Sequence, residues 1–465
     1  MQGEKRFLIL FEKFFPDPFI LAFFLSLLAL VCSAFFGFED VQSKHIGERF
    51  RLAGLAWATG MWKFLAFGMQ MSLIVLFGFV LAQAPLVTQA INRLASLPQK
   101  PRHAIWLTAF MACFSALIHW GLGLIVGALL AKKMATNLEE RNIKVHYPLL
   151  AAAGYSSLLV WHGGLTGSAP LKASNMENLP YFFKGVTVPL SETTFSELNG
   201  VIAFLSLIII PLFFARMHPN TEQVKSIGDY NNLEIEKSIV QVKINSNGGG
   251  LESSRYLPIL FSGFLLFCIF LWMEKQAHDN GGFLRIDWLN AINALFFALA
   301  VLSHPTLRQF LNITTSAVKG VVGIMIQFPL YAGTAGVFAA SGLSAIISNW
   351  IVNLPGAENL LPVYSFFAAG FINFFVPSGG GQFIIQGPIL FEAQQIINSG
   401  AANYNPGTWL LALSYGDQWT NMLQPFWAIP LLAITGVKAR EMMGYTTLVM
   451  LYVLPLYLLP LYFFG

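Results

Sequence analysis

The sequence is poor in charge. Only 11% of its 465 residues are Asp, Glu, Lys or Arg, against 55% hydrophobic residues and a mean hydropathy of +0.61. A soluble domain carries roughly 25% charged residues, so this chain has too little polar surface to coat a globule of its size. The net charge of +4 is small and gathers into no basic stripe, which argues against nucleic acid as a partner. Cysteine is scarce as well. Cys32, Cys113 and Cys268 lie in apolar stretches without CxxC spacing. They read as small buried hydrophobes, not as a disulfide framework or a metal site. Catalytic signatures are missing too: there is no HExxH, no Walker A loop, no GxSxG and no Cys/His cluster at metal spacing. An enzyme is therefore not indicated, and neither is ATP-driven work by this chain alone.

What the chain does have is hydrophobic length. A helix needs about 20 apolar residues to cross a bilayer. Uninterrupted spans are expected over 18–38, 60–85, 200–215, 256–273, 287–303, 314–340 and 444–464. The first is too long for the apolar core of a cleaved signal peptide and reads as a retained span, with a short interfacial helix over 7–15 ahead of it. Four further apolar regions are irregular. Residues 103–133 and 362–397 read as helix–loop–helix hairpins, broken at His119-Trp120-Gly121-Leu122-Gly123 and at Pro377-Ser378-Gly379-Gly380-Gly381. Residues 147–175 and 408–436 read as spans interrupted at Trp161-His162-Gly163-Gly164 and at Gly416-Asp417-Gln418-Trp419-Thr420-Asn421.

Lysine and arginine in short loops set orientation. Lys5, Arg6 and Lys13 place the N-terminus in the cytoplasm, and the cation-bearing loops 86–102, 131–146 and 216–255 read as cytoplasmic, as do Lys438 and Arg440. No Lys or Arg occurs from Gly320 to Val437. Hairpin 103–133 then has both ends inside and hairpin 362–397 both ends outside. The sum is nine crossings, two opposed re-entrant hairpins and a C-terminus outside. Loop 39–59 is discordant, because it carries Lys44, Arg49 and Arg51 yet should lie outside.

The chain also repeats. Gln70 to Pro98 aligns without gaps on Gln327 to Pro355 at an offset of 257, which becomes 260 after the second hairpin. The order of span, hairpin and interrupted span recurs, and the extra crossing 256–273 turns the second copy over. The fold expected is an all-α polytopic membrane protein of inverted repeats, with two re-entrant hairpins and two interrupted helices. Its parts are a first repeat over 1–216, a cytoplasmic loop over 217–255, a connecting span and outer loop over 256–286, and a second repeat over 287–465. Backbone without helical hydrogen bonds is tolerated at membrane depth only where it is buried or lines a cavity. Broken helices in inverted repeats therefore mark secondary transporters. Free N–H groups at half-helix N-termini suit an anion, and unwound carbonyls a small cation.

Candidate site residues follow from the breaks. Asp417 is the only acid between Pro406 and Val437. An Asp at mid-membrane costs roughly 2.5–3.5 kcal/mol on insertion scales, so it needs a cation, a proton or hydrogen bonds. With Asn373, Thr420 and Asn421 it reads as a cation or proton site; a helix cap is the structural alternative. Ser378, Gly379, Gly380 and Gly381, followed by Gln382 and Gln386, resemble an anion cradle. The matching tip supplies His119, Gly121 and Gly123, and the interruption at 161–168 adds His162, Thr166 and Ser168. Lys172 is the nearest cation for a carboxylate, or it snorkels to the outer interface. No metal beyond a possible Na⁺, and no cofactor beyond Na⁺ or H⁺ as coupling ion, is expected.

At three places the sequence resembles a known family. Leu65-Ala66-Phe67-Gly68-Met69-Gln70-Met71 is one. Val376-Pro377-Ser378-Gly379-Gly380-Gly381 with Ile385-Gln386-Gly387-Pro388 is the second. Gln418-Trp419-Thr420-Asn421-Met422 with Gln424-Pro425-Phe426-Trp427-Ala428 is the third. Together they are similar to the short-chain fatty acid transporter family (AtoE type), within the ion-transporter superfamily, over nearly the whole length. The resemblance implies a bacterial inner-membrane carrier for monocarboxylates such as acetoacetate or butyrate, and a homodimer. It also implies a scaffold (60–85 and 314–340) against which 103–175 and 362–436 move elevator-fashion. The chain departs from the family's usual pattern at His162 (commonly glycine), Gln382 (histidine can occur) and Asp417 (glutamate can occur), which leaves substrate and coupling ion open. A carrier for a larger organic anion, such as a dicarboxylate or acylated amino acid, is the alternative. It would want a cation in the cavity, and 320–437 has none. An intramembrane enzyme or a channel is the more distant reading.

Overall fold

The computed structural model describes residues 6–7, 18–38, 45–63, 65–174, 187–219, 224–230, 250–279, 281–283, 286–318, 321–343, 346, 350, 353–377, 379–380, 382–383, 386–387, 390 and 406–464. Ser378 and Gly381 therefore lie outside the described residues, as does most of the expected interfacial helix over 7–15. Every regular element among the described residues is helical. The longer ones are α1 (Pro18–Phe36), α2 (Ile46–Gly60), α3 (Leu65–Ala82), α4 (Pro85–Ser96), α5 (Pro101–Ile118), α6 (Trp120–Glu140), α7 (Tyr147–Tyr155), α8 (Ser168–Ala173) and α9 (Glu197–Arg216). They continue as α10 (Tyr256–Asp279), α11 (Trp288–Leu302), α12 (Leu307–Ala317), α13 (Val322–Ser341), α14 (Ala357–Asn373), α15 (Pro406–Thr420), α16 (Ile429–Thr435) and α17 (Ala439–Phe464). Five of them, α5, α6, α9, α10 and α17, are long and apolar enough to cross a membrane, counted over the described residues. Proline opens α4, α5 and α7, where its missing N–H is no loss and its fixed φ suits a first helical turn.

Several helix boundaries differ from the sequence expectation. Loop 39–59 is helical from Ile46 onward, and the expected span 60–85 starts only at Leu65. Residues 86–96 of the 86–102 loop belong to α4, and 314–340 is split between α12 and α13. Helix α2 was hidden by its mixed composition. One face pairs Glu48 with Arg51 in water, while Ala53 and Gly60 are buried on the other. Gly60 and Gly336 let the backbones of α2 and α13 touch: a Cβ on Gly60 would lie 2.7 Å from the Cα of Gly336.

The breaks recur between the halves. Helices α2 and α12 end at Gly60 and Ala317, and α3 and α13 begin at Leu65 and Val322, each 257 positions apart. Packing is reciprocal: α1 and α2 pack on α13, while α11 and α12 pack on α3. The largest apolar core joins α5, α6, α7, α9 and α17 through residues such as Leu124, Leu150, Tyr155 and Tyr457. Helix α10 buries little, and Ile259, Leu260, Phe264, Phe267 and Phe270 are exposed along it, as expected of a helix facing lipid.

Where α7 leaves the polar side, His146 ties three segments together. Its Nδ1 accepts the Lys225 backbone N–H at 3.1 Å, so the neutral ring carries its proton on Nε2, 2.9 Å from the Tyr445 hydroxyl. Burial pushes the His146 pKa down to about 3, helped by His218 and Lys225. The unfolded chain then binds a proton near pH 6.5 that the folded chain refuses until near pH 3, so stability is complete above pH 6.5 and drains away below it. Between pH 7 and pH 5 this histidine is expected to remove at most about 2 kcal/mol. Unfolding temperatures measured across that range should fall less in His146→Asn, which keeps an acceptor for Lys225 but does not titrate.

Candidate functional site

The chain between α7 and α8 is not α-helical. It passes through two short 3₁₀ turns, Ser156–Leu159 and Trp161–Gly163, before α8 begins at Ser168. Asn199 of α9 anchors this segment: its Nδ2 donates to the Gly163 carbonyl at 2.8 Å, and its Oδ1 accepts from Tyr415 at 2.8 Å. A side chain at 163 would overlap Asn199, so glycine is required for the close approach. The second interrupted region behaves differently from expectation. Helix α15 runs through Asp417 as far as Thr420, and the irregular stretch occupies 421–428. Asp417 thus sits in the last turn of a helix, not within the break. The first hairpin turns at His119, and Gly121 and Gly123 lie inside α6.

The central contact joins the two halves. His162 Nδ1 lies 3.3 Å from Asp417 Oδ1, with side-chain exposures of 0% and 1%. The other imidazole nitrogen fixes the tautomer. Nε2 accepts the Ala169 backbone N–H at 3.1 Å and lies 3.3 Å from Ser168 Oγ. An acceptor at Nε2 puts the proton of a neutral ring on Nδ1, which faces Asp417. The ring is also stacked on Trp161, with centroids 4.1 Å apart, and the His162 backbone N–H donates to Gln418 Oε1 at 3.0 Å. Both Asp417 carboxylate oxygens lack an aligned hydrogen bond among the described residues; at 3.3 Å the imidazole is near enough for charge pairing but off the hydrogen-bond direction.

Asn373, Thr420 and Asn421 do come together, but around each other. Asn373 Nδ2 donates to the Asp417 carbonyl at 2.9 Å, to Thr420 Oγ1 at 3.0 Å and to Asn421 Oδ1 at 2.9 Å. The Asp417 carboxylate is not part of that set. Gln382 Nε2 donates to the Ala369 carbonyl and to Gln386 Oε1, at 2.8 and 2.9 Å, so these two glutamines support the second hairpin from within. His119 caps α6: its Nδ1 accepts the N–H of Gly121 at 3.1 Å and of Leu122 at 3.4 Å. Thr166 Oγ1 accepts the Trp120 N–H at 3.3 Å. The donors at the first tip are therefore occupied by His119 and Thr166.

All four breaks meet at residues 161–168. Thr166 holds the first tip. Gly379 of the second tip lies against the His162 ring and Ser168, and Gly380 against Lys172. Trp427, from the break after α15, packs on Trp120 and Trp161 with centroids 5.2 and 6.2 Å away. Lys172 Nζ donates to the Gly380 carbonyl at 3.3 Å. Sequence reasoning missed the supporting residues Asn199, Tyr155, Gln418 and Gln424; Tyr155 donates to the Asn421 and Gln424 carbonyls at 3.0 and 3.2 Å. Asn199 and Tyr155 signal themselves only as polarity within apolar runs, whereas Gln418 and Gln424 stand in the family-like motif without a role having been read for them. No group of three or more His, Cys, Asp or Glu able to hold a metal occurs among the described residues. A cavity of about 280 Å³ lies elsewhere, between α3 and α13, with an apolar lining that includes Leu73, Leu76 and Phe328.

Sequence comparison with known proteins agrees on one family. Residues 3–464 match the family model described as short chain fatty acid transporter. A protein of Escherichia coli (strain K12) assigned to short-chain fatty acid transport is 32% identical over 452 residues, covering 96% of each chain. A protein of Haemophilus influenzae (strain ATCC 51907 / DSM 11121 / KW20 / Rd) with the same assignment is 31% identical over 470 residues, covering 99% of each. The crystal structure of the Alcanivorax borkumensis YdaH transporter, described as having an unusual topology, aligns over 96% of this chain and 97% of its own, at 15% identity and a TM-score of 0.45. The chain belongs to the short chain fatty acid transporter family, and it is a multi-pass membrane transporter, not an enzyme.

Proposed function

We propose that the chain is a secondary active transporter for short-chain fatty acids and similar small monocarboxylates, such as acetoacetate and butyrate, in the bacterial inner membrane. Coupling to a Na⁺ or H⁺ gradient supplies the driving force. The observation that carries this reading is the convergence of four helix breaks on one buried acid and its imidazole. Such a site gives an anion backbone donors and hydroxyls, Ser168 among them, while Asp417 supplies the group that binds the coupling cation. The Lys and Arg distribution in the sequence supports a cytoplasmic N-terminus and an outside C-terminus, and the reciprocal packing of the two halves supports inverted repeats. It also supports an elevator in which α5–α8 and the second hairpin with α14–α16 move against a scaffold containing α3 and α13. Arms of 18 and 21 residues make hairpin α5–α6 as long as a full crossing, and both its ends still fall on the same side. Exposed Leu65, Met69, Val318 and Met325 beside the scaffold cavity suit a homodimer.

A larger dianion is the second reading, and one observation weighs against it. Lys172 is the one cationic side chain at the convergence among the described residues, enough for a monocarboxylate. Uptake of labelled butyrate or acetoacetate into vesicles tests the proposal. Saturable, ion-driven accumulation is expected, competed by monocarboxylates and at least tenfold less by succinate. Non-saturable flux would indicate a channel instead.

A further inference from the structure

We propose that Lys172 and the His162–Asp417 pair form one charge-balanced loading site, in which Lys172 takes the substrate carboxylate and the pair takes one proton. This rests on the monocarboxylate reading above and deepens it to a coupling rule.

The geometry supplies three observations. Lys172 is half-buried, donates to the Gly380 carbonyl, and has no carboxylate within ion-pair distance among the described residues. Asp417 is buried, with neither carboxylate oxygen hydrogen-bonded among the described residues. Gly379 and Gly380 bring both within one residue of each other on the second hairpin: Gly379 covers His162, and Gly380 covers Lys172. Anion and proton sites therefore share one moving wall.

The charges then add up in only two ways that suit a low-dielectric passage. Empty, the site holds Lys172 at +1 and Asp417 at −1, with His162 neutral, for a sum of zero. With one proton on the pair and one monocarboxylate at Lys172, the sum is again zero. A proton alone leaves +1, and an anion alone leaves −1. An uncompensated charge is costly at membrane depth, so the half-loaded forms stay put and stoichiometry is one to one. The proton enters from water on the loading side, settles on the Asp417 carboxylate beside the Nδ1–H that the neutral His162 ring already carries, and leaves to water on the other side.

A proton fits this position better than Na⁺. Na⁺ needs several oxygen ligands, but the group nearest Asp417 Oδ1 is the His162 Nδ1 nitrogen, and the oxygens of Thr420 and Asn421 accept from Asn373, which leaves Asn373 Oδ1 as the one oxygen of that set without a partner among the described residues. Neighbouring elements bring no rival charge. Tyr155 of α7 and Tyr457 of α17 donate to carbonyls, and Tyr415 of α15 donates to Asn199 of α9. His119 of the α5–α6 turn is committed to capping α6. Asn373 represents α14, and Glu192 sits against Gly407 at the far end of α15.

The test uses purified full-length protein in proteoliposomes with labelled butyrate. For the wild type, an alkaline interior should drive accumulation, and a Na⁺ gradient at equal pH should not. Asp417→Asn mimics the permanently loaded pair. It should lose pH-driven accumulation, and whatever counterflow exchange remains should no longer depend on pH, whereas wild-type exchange falls as pH rises; size exclusion reports that it folds. Lys172→Met should lose exchange at least tenfold at an unchanged melting temperature, and Lys172→Arg should recover part of it. Should Lys172→Met not fold, Lys172→Gln replaces it. Accumulation by Asp417→Asn under a pH gradient, accumulation driven by Na⁺ alone, or wild-type KM in Lys172→Met would each overturn the loading rule. Failure of the wild type to exchange butyrate or acetoacetate at all would overturn the substrate reading beneath it.

Discussion

Replacing Gly379 by alanine is expected to cut transport at least tenfold while leaving a folded protein in the membrane. The argument is steric. A Cβ at this position overlaps the His162 ring, lying 2.7 Å from Nε2 and 2.8 Å from Ser168 Oγ. The ring cannot slide away from the intruding methyl, because Trp161 is stacked against it. It has to rotate, and rotation breaks the hydrogen bond from Ala169 and withdraws Nδ1 from Asp417. Stability should change by only about 1–2 kcal/mol, the ordinary cost of one extra methyl that a side chain can yield to. Gly379 lies outside the main apolar core, which is built from α5–α7, α9 and α17. Initial rates of saturable butyrate uptake, normalised to folded protein by size exclusion, measure the effect. Wild-type rates would mean that the second hairpin does not rest on His162 during transport.

The residues of this site were legible in the sequence, but their pairing was not. Asp417 and the glycine tip announce themselves because charge and backbone freedom are expensive in an apolar run. His162 stands out for the same reason. Nothing in the spacing says that His162 and Asp417 meet, since they lie in different halves and their contact depends on how the 161–163 turn packs on α15. Asn373, Thr420 and Asn421 illustrate the same limit. Their amide and hydroxyl groups read as cation ligands, yet Asn373 Nδ2 donates to the oxygens of the other two, leaving Asn373 Oδ1 and Asn421 Nδ2 without a partner among the described residues. Composition tells which groups need partners; only packing decides who provides them.

The fold was legible where hydrophobic length was uniform, as in α9, α10 and α17. It was obscured where a helix break depends on one side chain. Gly121 and Gly123 look like breakers, but the hairpin turns at His119, whose imidazole accepts two N–H groups of the next helix. With those donors satisfied, the glycines serve packing: a Cβ on Gly123 would lie 2.8 Å from the Ala112 carbonyl. Helix α2 was lost for the opposite reason, since the charges on its wet face made a helix that packs closely on α13 through Ala53 and Gly60 look like a loop.

Gly127→Ala is expected to be among the most damaging single methyls in the molecule's core, costing about 2–3 kcal/mol, and Gly127→Leu is expected to yield little folded protein. Helices α6 and α7 touch backbone to backbone there. A Cβ on Gly127 overlaps the Gly154 carbonyl, and a Cβ on Gly154 would lie 2.7 Å from the Gly127 carbonyl carbon. No flexible side-chain end is available to yield, so the helices themselves must part. Parting them opens the surrounding core, where Leu124, Ala128, Leu150 and Ala153 are fully buried. Gly200 and Gly263 are the controls, because a Cβ at either meets nothing within 4 Å. Alanine there should be neutral or stabilise the helix by about 0.5–1 kcal/mol. The double replacement at 127 and 154 should cost less than the sum of the single ones, since the first methyl already separates the helices for the second. Melting temperatures of the purified variants decide it, and strict additivity would show that the two glycines do not share one contact.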